Sequence, residues 1–188
     1  MKVKELSLQF EKITDNLYKF DNLLTETLFF SCLDEFNPEY NNWMMKIEKN
    51  VKWIGVFKGG GTNQNIGDNL SFLEISSYLK LISESILKKK LSLMRVSTNI
   101  QFFGQETVFH VDGDQNKWTF LIFVNRIWNA EWGGHFIINT NDTRYHSFIP
   151  IPNNGILFRA DQQHKGDAPN KYCDISRETL AFTFIEEY

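Results

Sequence analysis

In the segment Phe109-His110-Val111-Asp112 an imidazole and a carboxylate stand two residues apart. If the segment is extended, the period-two alternation of a strand puts both side chains on one face, with Val111 turned away. Side by side they form two ligands for a divalent metal. Alone the pair is a weak signal, because the same two residues also make an ordinary hydrogen-bonded surface pair. A third ligand can come from His135, His146 or His164. His164 follows the apolar run Gly155-Ile156-Leu157-Phe158 and a polar turn, so it can return on a strand beside the first pair. Two imidazoles and one carboxylate on one face of an octahedral ion leave three positions for reactants, the set that iron(II) uses in oxygen chemistry. His135 and His146 read as rim or surface histidines, His135 being the more interesting because it follows a glycine pair.

Arg177 opens the segment Arg177-Glu178-Thr179-Leu180-Ala181-Phe182-Thr183-Phe184. Strand alternation places Arg177, Thr179 and Ala181 on one face and Leu180, Phe182 and Phe184 on the other. An arginine in an apolar strand is costly to bury unpaired, and its planar fork holds a carboxylate bidentately. That carboxylate can belong to a bound small molecule or to an internal glutamate. Residue types alone leave both open.

These residues must be positioned by a scaffold. Leu24, Leu28, Cys32 and Phe36 recur at spacing four between Leu23 and Phe36, which predicts an amphipathic helix ended by Pro38. Phe72, Ile75, Leu79, Ile82 and Ile86 predict a second helix, with Ser71 and Glu74 at capping-box spacing and Lys88-Lys89-Lys90 as its solvated end. Between them Gly59-Gly60-Gly61, with Asn63, Asn65 and Gly67, predicts a loop that lacks the Lys-Ser/Thr of a phosphate cradle. Beyond residue 93 the chain is rich in β-branched and aromatic residues punctuated by Gly, Asn, Asp and Pro. It predicts short strands at Met94–Phe103, Thr107–Asp112, Trp118–Asn125, Gly134–Asn139, Tyr145–Ile149, Gly155–Phe158 and Arg177–Ile185. The expectation is one α+β domain over residues 1–188. A helical and mixed support region occupies 1–93 and a β core carrying the site occupies 94–188.

Composition narrows the class. A net charge of −3 and a pI near 5.8 leave no basic footprint for nucleic acid. The 17 Phe and 5 Trp suggest a wide core filled by rings. Two cysteines, Cys32 and Cys173, are too few for a disulfide framework, and no apolar run is long enough to span a bilayer. A soluble, cytoplasmic protein in a reducing compartment is expected, with no nucleic-acid or membrane partner.

The order His110-x-Asp112, then His164, then Arg177 within R-x-T-L-A-F resembles the 2-oxoglutarate/iron(II) dioxygenase superfamily, and most of all its prolyl-4-hydroxylase-like branch. Trp128-Asn129-Ala130-Glu131-Trp132-Gly133-Gly134-His135-Phe136 is similar to that branch's W-x-x-x-W-G-G-E segment. Pro150 to Phe158 is similar to its P-x-x-G-x-L-x-F strand. The resemblance covers residues 95–185.

It implies a double-stranded β-helix core of the jelly-roll or cupin kind, with the N-terminal helices packed on one sheet. It implies that His110, Asp112 and His164 are the catalytic metal ligands, with Arg177 holding the distal carboxylate of 2-oxoglutarate and Thr179 adding a hydroxyl hydrogen bond. The implied cofactors are Fe(II), 2-oxoglutarate and O2, with ascorbate as an accessory reductant. The implied reaction couples decarboxylation of 2-oxoglutarate to succinate with hydroxylation of a C–H bond, foremost in a peptidyl proline or another protein side chain, and alternatively in an amino acid, sugar or nucleobase. Two departures stand out. The family often places a 2-oxoglutarate-contacting tyrosine where this chain has Gln101, which can still donate a hydrogen bond, and the segment that usually ends in Glu ends in His135. Asp112 is kept, whereas related halogenases lack the carboxylate, so hydroxylation is favoured over halogenation. A non-catalytic metal-binding module and a zinc hydrolase are the alternatives, and Arg177 would lack a co-substrate in the hydrolase. Trp43, Trp53, the loop Gly59–Gly67 and the turn Gly113–Lys117 are candidates for a lid or substrate wall, the glycine-rich loop foremost.

Overall fold

The computed structural model describes residues 9–35, 46–48, 51–56, 70–141 and 143–187. In chain order they form β1 (Phe10–Thr14), β2 (Leu17–Phe20), α1 (Glu26–Glu35), β3 (Lys46–Glu48), β4 (Val51–Val56), α2 (Leu70–Leu87), β5 (Leu91–Gln101) and β6 (Lys117–Phe123). A 3-10 turn (Ala130–Trp132), β7 (Phe136–Asn141), β8 (Arg144–Phe148), β9 (Gly155–Arg159), β10 (His164–Gly166) and β11 (Arg177–Glu186) complete them.

Eight strands make the main sheet, in the order β1-β2-β9-β6-β11-β5-β4-β3, and β10-β7-β8 make a smaller one. All of the recorded strand pairs are antiparallel. The expected α+β class and β-helix core hold, with α1 and α2 on one face of the main sheet.

Strand alternation explains how the layers join. On β6, Phe120 and Ile122 turn toward the helices, where they meet Leu180, Phe182 and Phe184 of β11 and Leu28, Phe72, Ile75 and Leu79. The intervening Leu121 and Phe123 turn to the opposite face and pack with Ile156 and Phe158 of β9 against Phe136, Ile138 and Phe148 of the small sheet. A strand buried on both faces needs the near-continuous apolar run that β6 carries. Each such ring contributes about 1.5–3 kcal/mol by leaving water.

The sequence expectations differ from the structure in several places. The helix predicted over Leu23–Phe36 begins later, at Glu26, after Thr25 Oγ1 accepts a hydrogen bond from Leu28 N at 3.4 Å. Its stripe is nevertheless the core one, with Leu24, Leu28 and Cys32 all buried. α2 begins at Leu70, so Ser71 lies inside its first turn and is not the residue that precedes it. The lysine run follows the helix, where Lys89 Nζ pairs with Glu186 at 2.6 Å.

Thr107–Asp112 is not a strand: it contains one isolated bridge, at His110, because no neighbouring strand supplies a ladder along its length. β1 and β2 were not expected, although alternation around the two-residue turn Asp15-Asn16 carries their signal. The support region therefore adds strands as well as helices. Phe36, Trp43 and Gly59–Gly67 lie outside the described residues, and Trp53 falls on β4. Among the described residues no helix is long and apolar enough to cross a membrane.

Candidate active site

Between the two sheets lies a cavity of about 410 Å3. Its wall along β5 is made by Arg95, Ser97, Asn99 and Gln101, and along β11 by Arg177, Thr179 and Ala181. The register sets these residues opposite one another, with Gln101 facing Arg177 and Asn99 facing Thr179. Thus one face of β11 serves the cavity and the other the helix-side core, as its alternation predicts.

His110, Asp112 and His164 also line it, and one donor atom from each lies within 4.8 Å of the others. His110 is brought to His164 by main-chain pairing: His110 N donates to His164 O at 3.0 Å and His164 N to His110 O at 2.9 Å. Asp112 is fixed by its own N–H, which donates to Ala160 O at 2.9 Å. Hence β9 and β10, through the residues around them, locate a segment that has no strand of its own.

The two imidazoles share one orienting device. His110 Nδ1 lies 3.0 Å from Val108 O, and His164 Nδ1 lies 2.9 Å from Gln162 O. A carbonyl only accepts, so in each ring Nδ1 carries the proton and Nε2 keeps its lone pair. Those Nε2 atoms lie 4.0 and 3.7 Å from the Asp112 carboxylate. Thr119 Oγ1 donates to Asp112 Oδ2 at 2.9 Å and restrains the carboxylate. Burial holds the His164 pKa below the ordinary imidazole value, against the pull of Asp112 in the other direction. Two imidazoles that turn Nε2 toward one carboxylate fit a divalent first-row metal ion.

Arg177 is buried, and burial pushes its pKa down to about 10. Its Nε donates to Gly134 O at 2.6 Å and its Nη1 to Gln101 Oε1 at 2.8 Å, while the guanidinium sits 5.6 Å from the Phe123 ring centre. Among the described residues no carboxylate lies within 4.0 Å of it, so the internal glutamate partner considered from the sequence is not there. Asp167 acts on Arg177 only from beyond contact distance, so the buried guanidinium faces the cavity with no carboxylate touching it and could receive one there.

Gln101 does not offer a free donor: its Nε2 already donates to Gly166 O at 3.0 Å and Gln105 O at 3.3 Å. It lines the cavity with an amide already engaged, and its Oε1 braces Arg177. The Trp-Gly-Gly segment explains itself here. Gly134 has φ +69, and a Cβ on it would stand 2.8 Å from the Trp128 ring and 3.2 Å from Arg177 Cδ. Trp128 in turn crosses Trp132 edge-on at 5.5 Å.

His135 and His146 do not line the cavity, as expected. Thr119 and Arg95 were missed. The alternation of polar Arg95, Ser97, Asn99 and Gln101 along one strand face was the signal available for the latter.

No family model matches the sequence, and no curated protein matches it. Solved structures do. A prolyl hydroxylase from Trichoplax adhaerens, in complex with a hypoxia inducible factor oxygen degradation domain peptide fragment, is 15% identical, with a TM-score of 0.66 over 92% of this chain and 84% of that one. A 2OG-Fe(II) oxygenase family oxidoreductase from Burkholderia pseudomallei is 13% identical, with a TM-score of 0.68 over 90% of this chain and 85% of that one. The non-heme alpha ketoglutarate dependent epimerase SnoN from nogalamycin biosynthesis is 10% identical, with a TM-score of 0.71 over 91% of this chain and 78% of that one. Such identities speak to architecture, and the architecture of this chain is the fold of the 2-oxoglutarate/iron(II) oxygenases.

Proposed function

We propose that the chain, as a single domain over residues 1–188, is a 2-oxoglutarate-dependent iron(II) oxygenase that hydroxylates a C–H bond. The observation that carries this reading is the presence in one cavity of a metal-ready His110–Asp112–His164 set and the anion-seeking Arg177. A structural metal site would need no buried arginine beside it without a carboxylate in contact. A zinc hydrolase would leave that arginine without a task.

In this reading His110, Asp112 and His164 hold the metal by one face. Arg177, braced by Gly134 and Gln101, pairs with the distal carboxylate of 2-oxoglutarate, and Thr179 adds a hydroxyl hydrogen bond. Bound iron(II) would supply the oxidising chemistry, in which O2 and 2-oxoglutarate give succinate, carbon dioxide and an alcohol on the substrate, ascorbate serving as accessory reductant. The chain supplies position and a dry wall, with Leu121, Phe136, Phe158 and Ala181 lining the space around the polar groups. The foremost substrate is a peptidyl proline or another protein side chain, and the second is a small molecule.

Under nitrogen, iron(II) and 2-oxoglutarate together should give a visible charge-transfer band that is absent in His110→Ala and Asp112→Ala. In air the loaded protein should release succinate. Iron binding with neither a 2-oxoglutarate-dependent band nor succinate would identify a non-catalytic metal-binding module and overturn the reading.

A further inference from the structure

Arg95 is a second cation in the same cavity, and the oxygenase chemistry leaves it unused. It stands on the cavity face of β5, opposite Thr183 in the register, whereas Gln101 and Arg177 form the pair six residues further along. At about 3.3 Å per residue, the two pairs are roughly 20 Å apart along the strand at the main chain. Arg95 Nη2 reaches Asp112 Oδ1 at 3.5 Å and Thr183 Oγ1 at 3.4 Å. Its Nε is buried with no hydrogen-bond partner among the described residues, and its side chain as a whole is one-third exposed, at 33%. The guanidinium therefore has an unmet donor at the reactive end of the cavity.

Charge balance says what that donor lacks. In the loaded site the two positive charges of the metal and the one of Arg177 are matched by Asp112 and the two carboxylates of 2-oxoglutarate. Asp112, the carboxylate that Arg95 reaches among the described residues, is thus already committed to the metal. One positive charge remains over, on a guanidinium whose Nε edge is turned away from water, where an unmatched donor is costly. Ser97 and Asn99 continue the polar strip from Arg95 along the same wall.

Resting on the oxygenase reading above, we propose that Arg95 anchors a singly charged anionic group, a carboxylate by preference, on the molecule that is oxidised. It is then a specificity-determining residue. The planar fork suits a carboxylate, and its Nε–H edge is the side left open. The carboxylate can belong to a free amino-acid-sized acid or to an acidic residue of a peptide, and the two sources are separable.

The test uses the full chain loaded with manganese(II), which is redox-silent, and saturating 2-oxoglutarate. Calorimetric titrations compare N-acetylated amino acids with their primary amides. A second arm compares a hexapeptide containing glutamate with its glutamine twin. The expected result is an acid that binds at least tenfold tighter than its amide in one arm, a preference abolished in Arg95→Gln and partly kept in Arg95→Lys. Affinity for manganese should not fall in Arg95→Gln, since removing the cation beside Asp112 leaves that carboxylate freer for the metal, and affinity for 2-oxoglutarate should not fall either. Acids and amides that bind alike in both arms overturn the proposal. So does an Arg95→Gln protein with weakened manganese or 2-oxoglutarate, since Arg95 would then position Asp112 or the co-substrate. A native protein that binds no 2-oxoglutarate refutes the oxygenase reading itself, an outcome distinct from loss of the acid preference alone.

Discussion

Replacing Arg177 with methionine separates a receptor from a structural cation, because the two roles predict opposite changes. At about 1.4 kcal/mol per pH unit, the depression of its pKa from the usual arginine value to about 10 corresponds to about 3 kcal/mol spent on burying the charge. Methionine removes that cost and fills similar space. Against this, Gly134 O and Gln101 Oε1 lose their donors, each loss costing about 1–3 kcal/mol. The metal-free Arg177→Met protein should therefore lie within about 3 kcal/mol of the native stability in urea melts. Binding behaves otherwise. Removing one partner of a buried carboxylate pair costs about 3–5 kcal/mol, which is about a hundred- to a few-thousand-fold in affinity. Calorimetric titration of 2-oxoglutarate into manganese-loaded protein reads this directly, with the metal affinity itself as the internal control. A variant that is several kcal/mol less stable yet binds 2-oxoglutarate within tenfold of native would show that Arg177 holds the fold together, and the receptor argument would fail.

Gln101→Glu should place a carboxylate about where Oε1 now accepts from Arg177 at 2.8 Å, and so compete with 2-oxoglutarate. Its affinity should fall at least tenfold, about 1.4 kcal/mol, and unchanged binding in the same titration would mean that Arg177 is not the anchor. The third prediction concerns pH. Because burial lowers the His164 pKa in the folded protein, the unfolded chain takes up its proton first. This group's contribution to metal-free stability is complete above about pH 6.5 and is lost as pH falls through the lower folded value. Urea melts should show a steeper loss of stability below pH 6.5 in the native protein than in His164→Gln, and equal slopes would count against it.

The sequence carries the site better than it carries the scaffold. Leu24, Leu28 and Cys32 announce a helix face because a buried stripe needs that spacing, and the alternation of β11 separates Arg177 and Thr179 from Leu180 and Phe182 in advance. Thr107–Asp112 misleads because its Thr, Val and Phe have strand propensity, while pairing depends on neighbours that local residues do not reveal. β1 and β2 are short and mixed in polarity, so their membership of the main sheet rests on β9, far away in the chain. Arg95 is legible locally only as one member of a polar row with Ser97, Asn99 and Gln101, for a related reason. An arginine on a strand reads as a solvent-facing residue until the second sheet is set over it. Gln101 shows the limit of carrying a role by position, since its amide proves to be occupied once Gly166 is folded against it.

The reciprocal hydrogen bonds between the main chains of His110 and His164 separate the placing of a ligand from the course of the chain that leads to it. Residues 102–106 run from the end of β5 toward His110 with Phe102 and Phe103 exposed, and His110 takes its position from His164 rather than from them. Apart from Gln105, whose carbonyl accepts from Gln101, this stretch is therefore where the protein can accept a longer, shorter or foreign sequence and still bring His110 to His164. A library varied in length and sequence there should leave the pairing of His110 with His164 in place, because neither partner of that pairing lies in the stretch.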